Sequence, residues 1–243
     1  MIETFTALLF AHTLADFVFQ PRWMVTTKRN PAVLLLHAGL VCALSVAAIG
    51  AWSPWIAALA AVHLAIDAVK TYGPWAGLGA FLGDQLAHLA SLAGIAWLVP
   101  GLFAQGLWAG QPLVLHGAAL TAGLILAVRA GGFAVGLLMA DLGPVRSARD
   151  EGTDGLPGGG EWIGLLERTL IFVLMLADAM AGIGFLIAAK SILRFGAVAE
   201  NRAASEYVII GTLASFAWAI AATFAVLELA DALPPIAVRA PSP

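Results

Sequence analysis

Apolar residues run almost unbroken for about twenty positions at a time, and the breaks fall at proline, glycine and small clusters of charge. Wound as helix, a run of that length matches the hydrocarbon core of a bilayer. The runs lack the period-two alternation of barrel strands, so helices are expected. The first is predicted over residues 2–20, closed by Pro21, which cannot donate to the preceding turn. The second begins at Pro31, a favourable first-turn position, and runs to residue 50. Ser53 and Pro54 open the third, which ends at Lys70 ahead of Tyr72, Gly73 and Pro74. The fourth covers residues 78–99, before Pro100 and Gly101, and the fifth residues 113–139, long enough to tilt or to kink at Gly131 and Gly132. Residues 163–177 and 181–193 meet at Asp178 and Gly182, as a tight hairpin or as one long tilted helix, and a last span covers residues 207–229. The expected fold is an all-α, polytopic transmembrane helical bundle of about seven or eight spans.

The strongly polar stretch 141–161 carries Arg146, Arg149, Asp150, Glu151, Asp154 and a Gly-Gly-Gly tract. It reads as a flexible polar cytoplasmic linker between an N-terminal transmembrane bundle, residues 1–140, and C-terminal transmembrane helices, residues 162–232, with a disordered tail over 233–243. Its glycines are not a phosphate loop, because no Gly-Lys-Ser/Thr follows. Lysine and arginine gather in cytoplasmic loops. Arg22, Lys28 and Arg29 therefore mark the first loop as inside, Lys70 a later one, and Arg146 and Arg149 the linker. The intervening loops hold neither residue, which places the N-terminus outside. Lys190, Arg194 and Arg202 also read as inside, and inside loops on both sides of residues 163–193 favour the hairpin.

Composition agrees with this pattern. The chain is 61% hydrophobic and 11% charged with a mean hydropathy of +0.92, where a soluble domain carries roughly a quarter charged residues. A net charge of −3 leaves no basic patch, so nucleic acid is excluded as a partner and membrane lipids are the expected surroundings. Cys42 lies within an apolar run and, being the one cysteine, forms no intrachain disulfide. The N-terminal run lacks a basic leader and carries His12 and Asp16 in place of a small-residue cleavage site, so it reads as a retained first span.

The chemistry lies within these first four helices. His12 precedes Asp16 by four residues, His63 precedes Asp67 by four, and Asp84 precedes His88 by four. Four residues is about one helical turn, so each pair projects from one helix face. Helices one and three run inward and read His then Asp, whereas helix four runs outward and reads Asp then His. That reversal keeps like residues at like depth, with the histidines roughly 6 Å deeper than the carboxylates. His37, six residues into the second helix, falls between the two layers.

Ionisable residues at membrane depth are costly and usually functional. Imidazole and carboxylate together suit a divalent transition metal, zinc first, then iron or manganese, and a cation offsets the cost of several buried carboxylates. The candidate metal ligands are His12, Asp16, His37, His63, Asp67, Asp84 and His88, holding one ion with an outer shell or two ions bridged by aspartate. Asp16, Asp67 and Asp84 are the candidate catalytic bases. Gln20, Arg22, Lys28 and Lys70 lie near the expected mouth, where basic groups meet a lipid phosphate. Metal-dependent hydrolysis of a lipid-linked or amphipathic substrate near the cytoplasmic leaflet is then natural chemistry. Two other readings stay open. The same residues serve a cation or proton transporter as a relay, or they are interhelical packing contacts of a noncatalytic membrane scaffold. The sequence leaves the oligomeric state open.

The run Ala11-His12-Thr13-Leu14-Ala15-Asp16-Phe17 through Gln20, followed by Trp23-Met24 and Lys28, resembles the start of a bacterial membrane-protein family catalogued as a domain of unknown function. Residues Lys190 to Phe195 and Glu206-Tyr207 through Gly211 to Ser215 resemble its C-terminal half, with Ile163-Gly164 and Glu167-Arg168 between them. The resemblance implies a multi-pass protein of the bacterial inner membrane and supplies no reaction. More distantly, repeated His-x-x-x-Asp pairs are similar to the metal sites of zinc phospholipase C-type enzymes and membrane-bound metal-dependent hydrolases, by pattern alone.

Overall fold

The computed structural model describes residues 1–143, 158–198 and 202–236, and every regular element among them is helical. In chain order these are α1 (Ile2–Phe17), α2 (Arg22–Thr26), α3 (Pro31–Ile49), α4 (Pro54–Tyr72), α5 (Gly77–Leu98), α6 (Pro112–Ile125), α7 (Gly131–Asp141), α8 (Gly159–Leu176), α9 (Met180–Val198) and α10 (Arg202–Asp231). Most of the expected polar linker, residues 144–157, and residues 237–243 of the expected tail lie outside the described residues.

Among the described residues, four helices are long and apolar enough to cross a membrane: Pro31–Ile49, Pro54–Tyr72, Pro112–Asp141 and Ser205–Asp231. That is the helix set of an integral membrane protein. Others stop short of the same measure for visible reasons. α1 has only 16 residues, α8 carries Glu161, Glu167 and Arg168, and the apolar part of α9 is the shorter segment Met180–Ile192.

The chain forms two compact units. The first contains Met1–Trp75, Leu82–Ile125 and the residues from Val226 onward. Here the helix ends follow local chemistry. Asn30 caps α3 by accepting from the Ala32 amide, with Pro31 at the first helical position, and Gly50 closes the helix in the left-handed conformation at φ 78°. Ser53 accepts from the Trp55 amide to start α4, and Lys70 stands in its last turn. α1 ends three residues earlier than expected, at Phe17, where the Val18 and Phe19 amides both donate to the Leu14 carbonyl. The basic loop after it winds into the single turn of α2, anchored by buried Met24.

Ala7, Ala11 and Ala15 form a buried small-residue stripe on α1, which packs against α3 and α6. Small side chains let helix backbones approach closely where lipid supplies no hydrophobic drive. The loop before α6 is tied back to this bundle. Thr4 donates to the Pro100 carbonyl and accepts from the Phe103 amide, the Leu107 amide donates to the Gly50 carbonyl, and the Trp108 indole donates to the Ala47 carbonyl.

The second unit contains Ala76–Phe81 and Leu126–Ala225. Between α6 and α7 the helix widens into a π-helical turn, Leu126–Ala130, so the irregularity precedes Gly131 instead of being a glycine kink. Widening leaves carbonyls without their usual partners. The Trp218 indole donates to Leu126 O at 2.9 Å, and Arg168 Nε donates to Val128 O at 3.0 Å. Gly131, Gly132 and Gly164 are needed for a different reason. A Cβ at any of them would lie within 3.1 Å of the Arg168 side chain. α8 and α9 form a hairpin rather than one long helix, turning at Ala177–Ala179 with Asp178 at φ 52°. Lys190 then folds back to buried Glu167 at 2.6 Å, a part-buried pair within the span of α8.

Gly50 gives a direct test of the loop anchoring. Gly50→Ala places a left-handed alanine whose Cβ meets the Leu107 amide at 2.6 Å, and it is expected to cost at least about 1–2 kcal/mol. Gly39→Ala, exposed in the middle of α3 with open space around it, is expected to be neutral or to stabilise by up to about 1 kcal/mol. Thermal unfolding in detergent checks both, and equal midpoints for the two variants would contradict this account.

Candidate metal centre

Four helices of the first unit supply the expected residues: α1 gives His12 and Asp16, α3 gives His37, α4 gives His63 and Asp67, and α5 gives Asp84 and His88. The spacing of one turn places each pair on a common face. The structure brings all seven together. The rings of His12, His63 and His88 are grouped with centroids 4.1 to 5.9 Å apart, and His37 joins them at 5.1 Å from His63. Burial is deep: His37 is 0% exposed, His88 1% and Asp67 2%.

The tightest part of the cluster is built from four atoms. His37 Nε2 and His63 Nε2 lie 3.1 Å apart. Asp16 Oδ1 is 3.3 Å from the first and 3.6 Å from the second, and Asp67 Oδ2 is 3.6 and 3.5 Å from the same two. Beside it, Asp67, Asp84 and His88 offer ligand atoms within 4.8 Å of one another, as do His12, Asp16 and His63.

Two lysines hold the outer oxygens of the carboxylates. Lys28 Nζ donates to Asp67 Oδ1 at 2.8 Å, leaving Oδ2 turned to the histidines. Lys70 Nζ donates to Asp84 Oδ2 at 2.7 Å, leaving Oδ1 facing His88 Nδ1 at 3.8 Å. Both lysines, candidates for a substrate mouth by sequence, contact the acids in this structure. Arg22 is exposed on α2, and Gln20 lies at the end of the same loop with its amide nitrogen buried and unpaired. His116 turns its Nδ1 to the Pro112 carbonyl of its own first helical turn, apart from the cluster.

One member of the site escaped the sequence reading. Gln85 Nε2 donates to Asp84 Oδ2 at 3.1 Å, and its Oε1 lies 3.3 Å from His12 Nε2. A carboxylate only accepts, so it fixes which end of the amide faces it. The amide oxygen therefore faces His12, and the hydrogen of that imidazole sits on Nε2. His12 Nδ1 is left as a bare lone pair directed at Asp16 Oδ1, 3.8 Å away. The available signal was spacing: Gln85 stands three residues before His88 and so shares its face in an otherwise apolar run.

Eight buried side-chain nitrogen and oxygen atoms among the described residues have no hydrogen-bond partner. They belong to His12, Asp16, Gln20, His37, Asp67, Asp84 and His88. Six of those residues are predicted ligands, and the seventh is Gln20. Buried polar groups elsewhere find partners, as buried groups must. The second unit makes the contrast plain, because Arg168 reaches both Val128 O and Ser215 Oγ, and Glu167 is neutralised by Lys190.

Residues 4–106 match the family described as "Protein of unknown function (DUF3307)". The matched segment carries the whole His/Asp cluster together with Lys28, Lys70 and Gln85. No curated protein and no solved structure matches the chain.

The lysine pairs differ in exposure, and this predicts a difference in cost. Lys28→Met strips the cation from Asp67, whose side chain is 3% exposed, and is expected to destabilise by about 3–5 kcal/mol. Adding Asp67→Asn should recover much of that loss, because the uncompensated charge is gone. Lys70 is 37% exposed against 16% for Lys28, and Asp84 keeps the Gln85 donor, so Lys70→Met is expected to cost less than Lys28→Met. Thermal unfolding of the three proteins measures the order, and a double variant less stable than Lys28→Met alone would contradict the pairing.

Proposed function

We propose that this chain is a membrane-embedded, metal-dependent hydrolase acting on a lipid-linked or amphipathic substrate near the cytoplasmic leaflet. The observation that carries the metal is the gathering of unpaired buried atoms on six of the seven residues whose side chains are good transition-metal ligands, His63 alone having none. Their spacing supports the same reading. A tetrahedral ion bound at about 2.0–2.1 Å has ligands about 3.3–3.4 Å apart. Five of the six separations among these atoms of His37, His63, Asp16 and Asp67 run from 3.1 to 3.6 Å. Lys28 and Lys70, and the Gln85 amide behind His12, are the outer partners that orient such ligands.

An ion of the cluster that kept a coordination position open for water would lower the pKa of that water to about 7 and so supply hydroxide at neutral pH. The hydroxide oxygen would attack the phosphorus or carbonyl carbon of the ester, the bond to the leaving oxygen would break, and a carboxylate of the cluster would carry the proton from water to that oxygen. Zinc is the ion that suits the mixed imidazole and carboxylate set best. The topology we infer with this reading has the N-terminus outside, the cluster in the cytoplasmic half of a bacterial inner membrane and the α8–α9 hairpin as two spans, giving eight.

A second reading, cation or proton transport, is favoured by the burial of the cluster and by the lysines that close on Asp67 and Asp84. Elemental analysis of protein purified in detergent and loaded with zinc chloride separates the cases. At least about one equivalent of retained metal is expected. Asp16→Ala and His63→Ala should lose it. Wild-type protein that retains no transition metal would refute the metal reading. With metal retained, release of product from phospholipid or lipid-phosphate vesicles supports hydrolysis, whereas ion flux in proteoliposomes without turnover supports transport.

A further inference from the structure

The first position, as proposed above, would have four protein ligands: His37, His63, Asp16 and Asp67. Closed four-ligand sites organise structure, while catalytic sites keep a coordination position for water. Hydrolysis at the first ion alone would therefore require a protein ligand to leave. The adjoining residues offer a different solution.

His88 is 1% exposed, and neither of its ring nitrogens has a hydrogen-bond partner. An imidazole carries one donor and one acceptor, so leaving both unmet in the interior forfeits two hydrogen bonds. Asp84 Oδ1 is likewise buried and unpaired, although Lys70 and Gln85 both hold its other oxygen. The two unmet groups face each other at 3.8 Å, and Asp67 lies close enough to complete a set of three ligand atoms within 4.8 Å. Asp67 also belongs to the first position, where its Oδ2 faces His37 and His63.

We propose that the site is binuclear, with a second divalent ion held by Asp84 and His88 and sharing Asp67 with the first. This rests on the metal reading above and adds to it the position where the chemistry occurs. Three protein ligands leave room for water and for a substrate oxygen, and Lys70 stands at the exposed edge beside Asp84 as a cation for an anionic ester group. The division of labour follows from ligand number: the four-ligand ion draws α1, α3 and α4 together, and the three-ligand ion carries the attacking water. Carboxylate sharing between two ions also accounts for three aspartates in a cluster that one ion would satisfy with two.

Wild-type protein, His88→Ala, Asp84→Asn and Asp16→Ala are loaded with zinc chloride, desalted and compared for bound zinc, thermal midpoint and vesicle hydrolysis. Wild type should bind about two equivalents, and His88→Ala and Asp84→Asn about one. Both variants should keep a zinc-dependent rise in midpoint while losing hydrolysis. If His88→Ala fails to fold, the isosteric Asp84→Asn carries the same comparison. One equivalent in wild type would overturn the second position and leave the first standing. No zinc in wild type would overturn both, and two equivalents retained in either variant would overturn the assignment of Asp84 and His88.

Discussion

Three carboxylates in apolar helices need compensating charge, and the N-terminal unit is organised around that need. An unpaired buried carboxylate costs more than a fold of marginal stability can carry, so each must meet a cation, a donor or a proton. The structure meets the requirement from two sides. Lysines approach from the outer edge onto Asp67 and Asp84, and histidines approach from within onto Asp16, Asp67 and Asp84. Among the described residues, the buried side-chain atoms that stay unmet lie on six members of the His/Asp cluster and on Gln20.

The surrounding helices serve this arrangement by being close and well stopped. The alanine stripe of α1 lets it lie against α3, and side-chain caps start α3 and α4 at the register that brings His37, His63 and Asp67 to Asp16. The one-turn helix α2 is the less obvious contributor. It folds a basic topological loop inward far enough for Lys28 to reach Asp67. A lysine from that basic loop thus also sets the charge balance of the buried cluster.

The second unit solves a similar problem with its own groups. Arg168 spends its donors on the widened turn at Leu126–Ala130 and on Ser215, and Glu167 meets Lys190 across the hairpin. Among its described residues these buried charges have partners, and no buried side-chain polar atom is left unmet. The difference between the two units is the physical basis for placing function in the first.

Much of this was legible in the chain itself. Runs of about twenty apolar residues dictate helices, prolines and glycines set most of their ends to within a few residues, and the four-residue His/Asp spacing puts each pair on one face. Reversal of pair order with helix direction also implied a shared depth. Spacing along one helix is silent about its neighbours, however, and the remaining features arise between helices. That Lys28 and Lys70 turn onto the acids, that Gln85 sets the hydrogen of His12, and that His88 is left with no partner depend on contacts between residues as much as 73 positions apart. Likewise Gly131 and Gly132 signalled an irregularity, yet only packing against Arg168 and Trp218 decided that it would be a widened turn rather than a kink. Local sequence determined the helices and the faces they present, because those follow from bonds within a turn; tertiary structure decided which polar atoms are satisfied, because partners at membrane depth come only from other helices.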